Sequence, residues 1–355
     1  MSLTQNASLA SLNSFGVEAR ARYLLRAKSA IAILDALADP ELRDLPRLLL
    51  GGGSNMLFVA DWPGIVIQLE AGGIDVVGEV DGKVLVRAAA GERWDDLVRH
   101  TIDMGYAGLE NLSLIPGCVG AAPIQNIGAY GVELSQLFHQ LEVIDLQTGE
   151  TIMMDRQRCA FGYRDSWFKR QQAGRYLIVS VTVALPREPS WLLGYGELAD
   201  EVARRGDGNI SAALIRGVVC DIRRRKLPDP DVLGNAGSFF KNPLLTAAQA
   251  EALRARHPDA PLYAFGSAFK LSAGWLIEHC GWKGRRRGDA GVSAQHALVL
   301  VNYGQASGAE IWSLATEIIA DVAERFGIVL EPEPRILGVD PTESEKPLPP
   351  APKSG

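Results

Sequence analysis

Three polar islands interrupt otherwise ordinary sequence, and each holds groups that can bind an anion or carry a proton: Tyr163-Arg164-Asp165-Ser166, residues 235–242 around Ser238, and residues 331–335 with Glu331 and Glu333. A guanidinium can hold a carboxylate by two parallel bonds, a hydroxyl can pass a proton, and a buried carboxyl with a raised pKa can keep one. Each island also has a plain structural use: Arg164 and Asp165 as a surface ion pair, Ser238 as a strand hydroxyl, Glu333 as an edge residue. A serine hydrolase does not fit, because Ser238 sits in AGSFF with neither a G-x-S-x-G elbow nor a histidine close in sequence. The basic clusters Arg223-Arg224-Arg225-Lys226 and Arg285-Arg286-Arg287 read first as solvated helix ends or loops. Lys226, however, leads directly into LPDPDVLGNAGSFFKNP, which offers a cation for a diphosphate near the serine.

Two glycine-rich stretches stand apart from these islands. GGGSN, residues 51–55, follows a short apolar strand, and its amides with Ser54 and Asn55 suit a phosphate as well as they suit a tight turn. It is not a G-x-G-x-x-G fingerprint, and MLFVADWPGIVIQL after it reads as strand with turn residues, where a Rossmann domain would need a long helix. Residues 112–131, LSLIPGCVGAAPIQNIGAYG, hold four glycines, two prolines and almost no charge. A loop of that length in a folded chain is uncommon unless it is functional or disordered, and it is too apolar for disorder. It is expected to wrap a large ligand, the alternative being an ordinary glycine-rich crossover.

Composition narrows the class. An apolar fraction of 47% with 22% charged residues is that of a folded soluble protein, and 355 residues predict two or three domains. A net charge of −6 gives nucleic acid no support as the main partner. No apolar run is long enough to span a bilayer and no signal segment opens the sequence, so a cytoplasmic protein without membrane insertion is expected. The four cysteines and five histidines show no ligand spacing, so no metal is expected.

The elements that must position these groups alternate short strands with helices. The Ser/Asn/Ala-rich first dozen residues are expected to fray, ARYLLRA to form a strand, and Ser29 to cap a helix AIAILDALAD stopped by Pro40. IVIQL, IDVVGEV and KVLVRAAA read as strands with a hairpin at Asp81-Gly82, and WDDLVRHTIDMG as a helix. LEVIDL, ETIMM and LIVSVTVAL are further strands, and prolines 186 and 189 mark a boundary. Helical periodicity then runs to Pro228. GAEIWSLATEIIADVAERFG is the clearest helix, with Ile311, Leu314, Ala315, Ile318, Ile319 and Val322 on one face. IVLEPEPRIL reads as the last strand, and the Pro/Ser/Glu/Lys-rich sequence beyond Gly338 as disordered.

GGGSN, IPGCVGAAPIQNIGAYG, FGYRDSWFK, KLPDP with GNAGSFFKNP, and KLSAGWLIEHCGWKG, in this order, resemble the UDP-N-acetylenolpyruvoylglucosamine reductases, the MurB flavoenzymes of peptidoglycan precursor synthesis. The resemblance runs from about Asn13 to Gly338, and SWLLGYGEL with Tyr195 resembles the tyrosine loop of one subgroup. It implies an α+β fold, with an FAD-binding domain of the vanillyl-alcohol-oxidase (PCMH) type over residues 1–187 and an α+β substrate-binding domain over 188–338, whose last strand (328–337) is able to pack back on the first. A disordered tail, 339–355, would follow.

The same resemblance implies an NADPH-dependent, FAD-mediated reduction of the enolpyruvyl ether of UDP-N-acetylglucosamine to UDP-N-acetylmuramate, in cell wall synthesis serving cell shape and division. Non-covalent FAD would be held by Gly51, Gly52, Gly53, Ser54, Asn55, Pro116, Gly117, Gly120, Ala121, Ile124, Gln125, Asn126, Gly128 and Ala129. Arg164 would hold the substrate carboxylate, Ser238 would protonate C2, and Glu333 would assist. Tyr130, Tyr195, Arg223, Lys226 and Asn242 would contact the UDP-sugar, and the protein would be a monomer. One departure is Pro334, which follows Glu333 where the family usually has valine, and which leaves Glu331 as a competitor for the role. Another flavin oxidase of the same fold would account for the glycine loops but not for FGYRDS with GNAGSFFKNP. An RNA-binding module is disfavoured by the acidic charge and the lack of an aromatic signature.

Overall fold

The computed structural model describes residues 1–170, 174–206 and 208–339, so the expected disordered tail lies, apart from Val339, outside the described residues. The chain divides into two compact units. One comprises Met1–Ala7, Ala21–Gly53 and Pro63–Arg225, and the other Ser8–Arg20, Ser54–Trp62 and the chain from Lys226 on. The units therefore part later than the expected boundary at 187/188. Helix Leu198–Arg205 and nearly all of helix Ala212–Lys226 belong to the first unit. There Leu198, Val202, Ile215, Val218, Val219 and Ile222 form one apolar cluster on which Tyr130, Trp191 and Leu193 also pack.

In the first unit a four-stranded sheet runs in the order Ser2–Ser8, Arg20–Ala27, Trp62–Leu69, Arg47–Leu49, the last two parallel. The opening residues are thus a strand and not a frayed end. Of Ser2–Ser8 only Ala7 is buried, so backbone ladder bonds hold it and no apolar alternation announced it. Helix Ala30–Leu37 covers this sheet through Ile33 and Leu37, and Ser29 Oγ accepts the Ala32 amide as its cap. Pro40 does more than stop that helix: it opens a second short one, Pro40–Arg43, capped by Asp39.

A five-stranded antiparallel sheet follows, in the order Thr151–Asp155, Phe138–Asp145, Tyr176–Pro186, Lys83–Ala89, Ile74–Val80. Asp81 and Gly82 both take positive φ, as the hairpin requires. Helix Trp94–Asp103 packs Trp94, Leu97 and Val98 on this sheet, and the Trp94 indole donates to the Leu112 carbonyl at 2.9 Å. That bond fixes the start of the long glycine-rich stretch.

The second unit holds a four-stranded sheet in the order Gly234–Ser238, Val299–Asn302, Ala290–Val292, Arg286–Arg287, and a small sheet of Leu244–Leu245, Ala268–Leu271 and Leu262–Phe265. Helix Gly308–Phe326 buries the face its periodicity predicts and is capped reciprocally by Ser307 and Glu310. Of the expected strand IVLEPEPRIL only Arg335–Leu337 is one, paired parallel with Met56–Phe58. Residues 331–333 run instead beside 239–241, bridging at Phe240 and Pro332, so the expected strand is divided between two partners. Among the described residues no helix is long and apolar enough to cross a membrane.

Candidate functional site

Residues 112–131 are more ordered than a plain loop. They contain the 3-10 helix Val119–Gln125 and a tight hairpin of Gly128–Ala129 with Val132–Glu133, whose two turn residues, Tyr130 and Gly131, both take positive φ. Residues 51–53 follow strand Arg47–Leu49 and lie against this stretch. A Cβ on Gly52 would stand 2.9 Å from the Gly117 Cα, and one on Gly120 would stand 2.6 Å from the Ala90 Cβ. These glycines are needed for chain to lie on chain, not only for close approach to a ligand.

The result suits FAD. Gly53 has φ +62, and the amides of Gly52 and Gly53 donate to no acceptor among the described residues, so a row of backbone donors stands ready for a pyrophosphate. Of the residues expected to hold the cofactor, Ser54 and Asn55 belong to the second unit and all the others to the first.

FGYRDS is tied to the same stretch by three side chains. Ser166 Oγ donates to the Ile124 carbonyl at 2.6 Å, Asn126 Nδ2 donates to the Gly162 carbonyl at 3.0 Å, and Arg164 Nη2 donates to the Gly128 carbonyl at 2.8 Å. A Cβ on Gly128 would stand 3.0 Å from both the Arg164 guanidinium and the Val132 carbonyl, so a larger residue there would press on Arg164. Asn126 is buried, with φ +45, and its Oδ1 accepts the Ser135 amide while Nδ2 also reaches Glu133. Arg164 does not pair with Asp165, whose carboxylate is held by Arg170 at 2.6 Å.

Of the first basic cluster, Arg224 pairs with Asp221 and Arg225 with Glu197 and Glu201. Arg223 differs, because its Nε is buried with no hydrogen-bond partner among the described residues and burial pulls its pKa down. Its electrostatic neighbours are Tyr130, Cys220, Asp95 and Arg164, so the unit gathers two guanidiniums around the Tyr130 hairpin. Burial pushes the Tyr130 phenol up, and its ring stands edge-on to Tyr195 at 6.0 Å between centroids. One turn pair further back on the same helix, Arg216 clasps Asp95 with two bonds of 2.6 and 2.8 Å, and Asp95 also accepts the Leu114 amide at 2.6 Å. Burial works against the Asp95 carboxylate, but Arg216 and the Leu114 amide outweigh it and hold the pKa below the usual range.

In the second unit Ser238 ends strand Gly234–Ser238, opposite Val299. Asn235 shapes the approach, donating to the Pro228 and Leu233 carbonyls and accepting the Gly237 amide. Residues 331–333 run beside 239–241: the Lys241 amide donates to Glu331 O at 2.9 Å and the Glu333 amide to Phe239 O at 2.8 Å. Glu333 is thus brought to the residue next to Ser238. Glu331 is turned outward, 70% exposed and paired with Lys241. Pro334 falls between two used amides, since Arg335 N donates to Asn55 O at 3.0 Å, so its missing donor interrupts nothing.

Asn242 Oδ1 accepts the Ala273 amide at the start of helix Ala273–His279. Lys226 is exposed and stands in the electrostatic surroundings of His296, whose pKa is lowered by burial first and then by Lys226 and Lys283. The second basic cluster is occupied as a solvated surface would be, with Arg286 on Asp289 and Arg287 on Glu317.

Sequence reasoning passed over Asp95 and Arg216, and the clasping role of Asn126, because their partners lie far away in sequence.

Comparison with known proteins agrees with this layout. Residues 21–155 match the family described as "FAD binding domain" and residues 229–337 the one described as "UDP-N-acetylenolpyruvoylglucosamine reductase, C-terminal domain". The α+β class with an FAD-binding domain therefore stands as expected. The UDP-N-acetylenolpyruvoylglucosamine reductase of Xanthomonas euvesicatoria pv. vesicatoria (strain 85-10) is 51% identical over 95% of this chain and 96% of its own, and that of Azoarcus sp. (strain BH72) is 52% identical over 94% and 97%. The crystal structure of MurB from Thermus caldophilus superposes with a TM-score of 0.65 at 25% identity, covering 95% of this chain and 98% of that one. With both sequence segments and the whole-length relatives in accord, the chain belongs to the UDP-N-acetylenolpyruvoylglucosamine reductase family of flavin oxidoreductases.

Proposed function

We propose that the chain uses NADPH to reduce UDP-N-acetylglucosamine enolpyruvate to UDP-N-acetylmuramate, a step of peptidoglycan precursor synthesis, with FAD held non-covalently in the first unit. When bound, FAD supplies hydride transfer, from NADPH to the enolpyruvyl carbon C3. The chain's own residues bind the substrate, carry the charge that develops and deliver the proton that completes the addition at C2. Hydride at C3 moves an electron pair toward C2 and the adjoining carboxylate, so a fixed cation there lowers the barrier. Arg164 takes that role, its fork already oriented by the Gly128 carbonyl.

Ser238 holds the proton for C2. Glu333 assists as a proton-bearing hydrogen-bond partner of the substrate's enol, and the observation that supports Glu333 over Glu331 is the Glu333 amide bond to Phe239 O. A serine hydroxyl is a weak acid, and Lys226 is the cation assigned to ease its loss of a proton. Tyr130, Tyr195, Arg223, Lys226 and Asn242 bind the UDP-sugar, the partnerless Nε of Arg223 suiting an anionic oxygen. Neither glycine-rich stretch holds a histidine and Cys118 is the one thiol there, in keeping with a flavin that is not covalently attached. NADPH preference, a cytoplasmic setting and a monomeric state belong to the same reading.

The test is anaerobic. Purified yellow protein mixed with NADPH should bleach, and the flavin band should return on adding the enolpyruvyl substrate. Colourless protein that binds no added FAD overturns the reading. A reduced flavin indifferent to that substrate points instead to another flavin oxidoreductase reaction.

A further inference from the structure

Asn111 takes no part in the assignments above, yet it is among the most buried polar side chains of the first unit, at 1% exposure. It lies in the 3-10 helix Glu110–Leu112, immediately before the glycine-rich stretch. Its single amide nitrogen donates to two backbone carbonyls, Tyr130 O and Leu192 O, each at 2.8 Å. These carbonyls belong to segments 62 residues apart in sequence (192 − 130), and each segment carries one of the two tyrosines already described.

Both segments need such a tie. Tyr130 has φ +48, a conformation that costs a bulky residue about 1–3 kcal/mol and persists only where its surroundings impose it. The segment around Leu192 belongs to no helix or strand, and while Trp191 and Leu193 rest on the apolar cluster of the two helices, Leu192 and Tyr195 are 49% and 57% exposed. The Leu192 bond fixes the height of this segment over the cluster, and with it the place where Tyr195 stands edge-on to Tyr130.

We infer that Asn111 is a positioning residue for the UDP-sugar: by pinning the Tyr130 and Leu192 carbonyls with one amide it sets the spacing of Tyr130 and Tyr195, and does not touch the substrate itself. This rests on the proposed function, which gives both tyrosines to the sugar nucleotide. The side-chain chemistry is specific. Only an NH₂ group offers two donors at one atom of this reach; serine offers one, and an ionised carboxylate offers none and repels both carbonyls.

The experiment compares Asn111→Ser and Asn111→Asp with the wild-type holoenzyme. Both variants should keep stoichiometric FAD. KM for the enolpyruvyl UDP-sugar should rise about tenfold in Asn111→Ser and further in Asn111→Asp, with kcat changed less than about threefold. Tyr195→Ala should then cost much less in kcat/KM in the Asn111→Ser background than in the wild type, because the spacing is already lost. Unchanged KM, or losses that multiply independently in the double variant, overturns the inference. Loss of FAD from both variants also overturns it, by making Asn111 a general support of the fold. Failure of the functional reading is told apart because the wild type itself would then not turn over the sugar nucleotide. In that case hydrogen exchange, which needs no substrate, reads the tie: residues 130–131 and 192–195 should exchange faster together in Asn111→Ser, and unchanged protection in either segment overturns it.

Discussion

The stretch 112–131 of the first unit and the segment 234–243 of the second both contain glycine and both carry assigned residues, but they are built on opposite plans. In the first, the backbone is the working surface, and polar side chains from elsewhere hold it in shape: Asp95 on the Leu114 amide, Asn111 on the Tyr130 carbonyl, Ser166 on the Ile124 carbonyl. In the second, a strand whose register shifts between Asn235 and Ser238 presents Ser238, and Asn235 closes the local loop on itself. The first region should therefore be broken by adding atoms, and the second by removing them.

The largest effect is expected in the second region. Ser238→Ala should leave reduction of the flavin by NADPH nearly intact and slow reoxidation by the enolpyruvyl substrate about 10²- to 10⁴-fold in stopped flow. A normal reoxidation rate removes Ser238 from the proton step. Next comes Gly120→Ala, which places a methyl 2.6 Å from the Ala90 Cβ and should cost about 1–3 kcal/mol of stability along with most of the FAD affinity, read by thermal melts and flavin titration. Tight FAD binding in that variant would mean the two chain segments can part without harm to the cradle.

Arg164→Lys keeps the charge and loses the fork, so kcat/KM should fall about tenfold, through loss of one charge-assisted bond; an unchanged value would make bidentate recognition irrelevant. A smaller effect concerns acid. Asp95 has a folded pKa below its unfolded one, so its stabilisation is complete above the unfolded value of about 4 and is lost as pH falls through the depressed one. Melting temperature should thus drop on acidification from about pH 5 toward pH 3 less steeply in Asp95→Asn than in the wild type, and equal slopes would show that the Arg216 clasp contributes no linkage. The smallest is a control: Gly217, inside helix Ala212–Lys226 with open space at its Cβ, should gain up to about 1 kcal/mol on substitution by alanine, and a loss there would mean an unseen contact.

Much of this was legible in the sequence because it rested on local chemistry. Ser29 caps its helix as its type suggests, Asp81-Gly82 turns a hairpin, and the buried face of Gly308–Phe326 follows its period. What stayed hidden depends on partners far away in sequence. Strand Ser2–Ser8 has a composition that says coil and becomes ordered only by pairing with Arg20–Ala27. The glycines at 52 and 120 were expected to make room for a cofactor; their nearest obstacle is the protein itself. That the Glu333 amide, and not that of Glu331, bonds to the residue next to Ser238 shows only in the register with residues 239–241.

The parallel pairing of Met56–Phe58 with Arg335–Leu337 has a consequence for biosynthesis. Those partners stand 279 residues apart (335 − 56) in one compact unit, which also draws in Ser8–Arg20. During translation the early segments must wait, unpaired, until nearly all of the chain has left the ribosome, since such long-range closure comes late and slowly. A nascent chain arrested before Arg335 would expose the Met56–Phe58 edge, a ready template for chaperones or for aggregation.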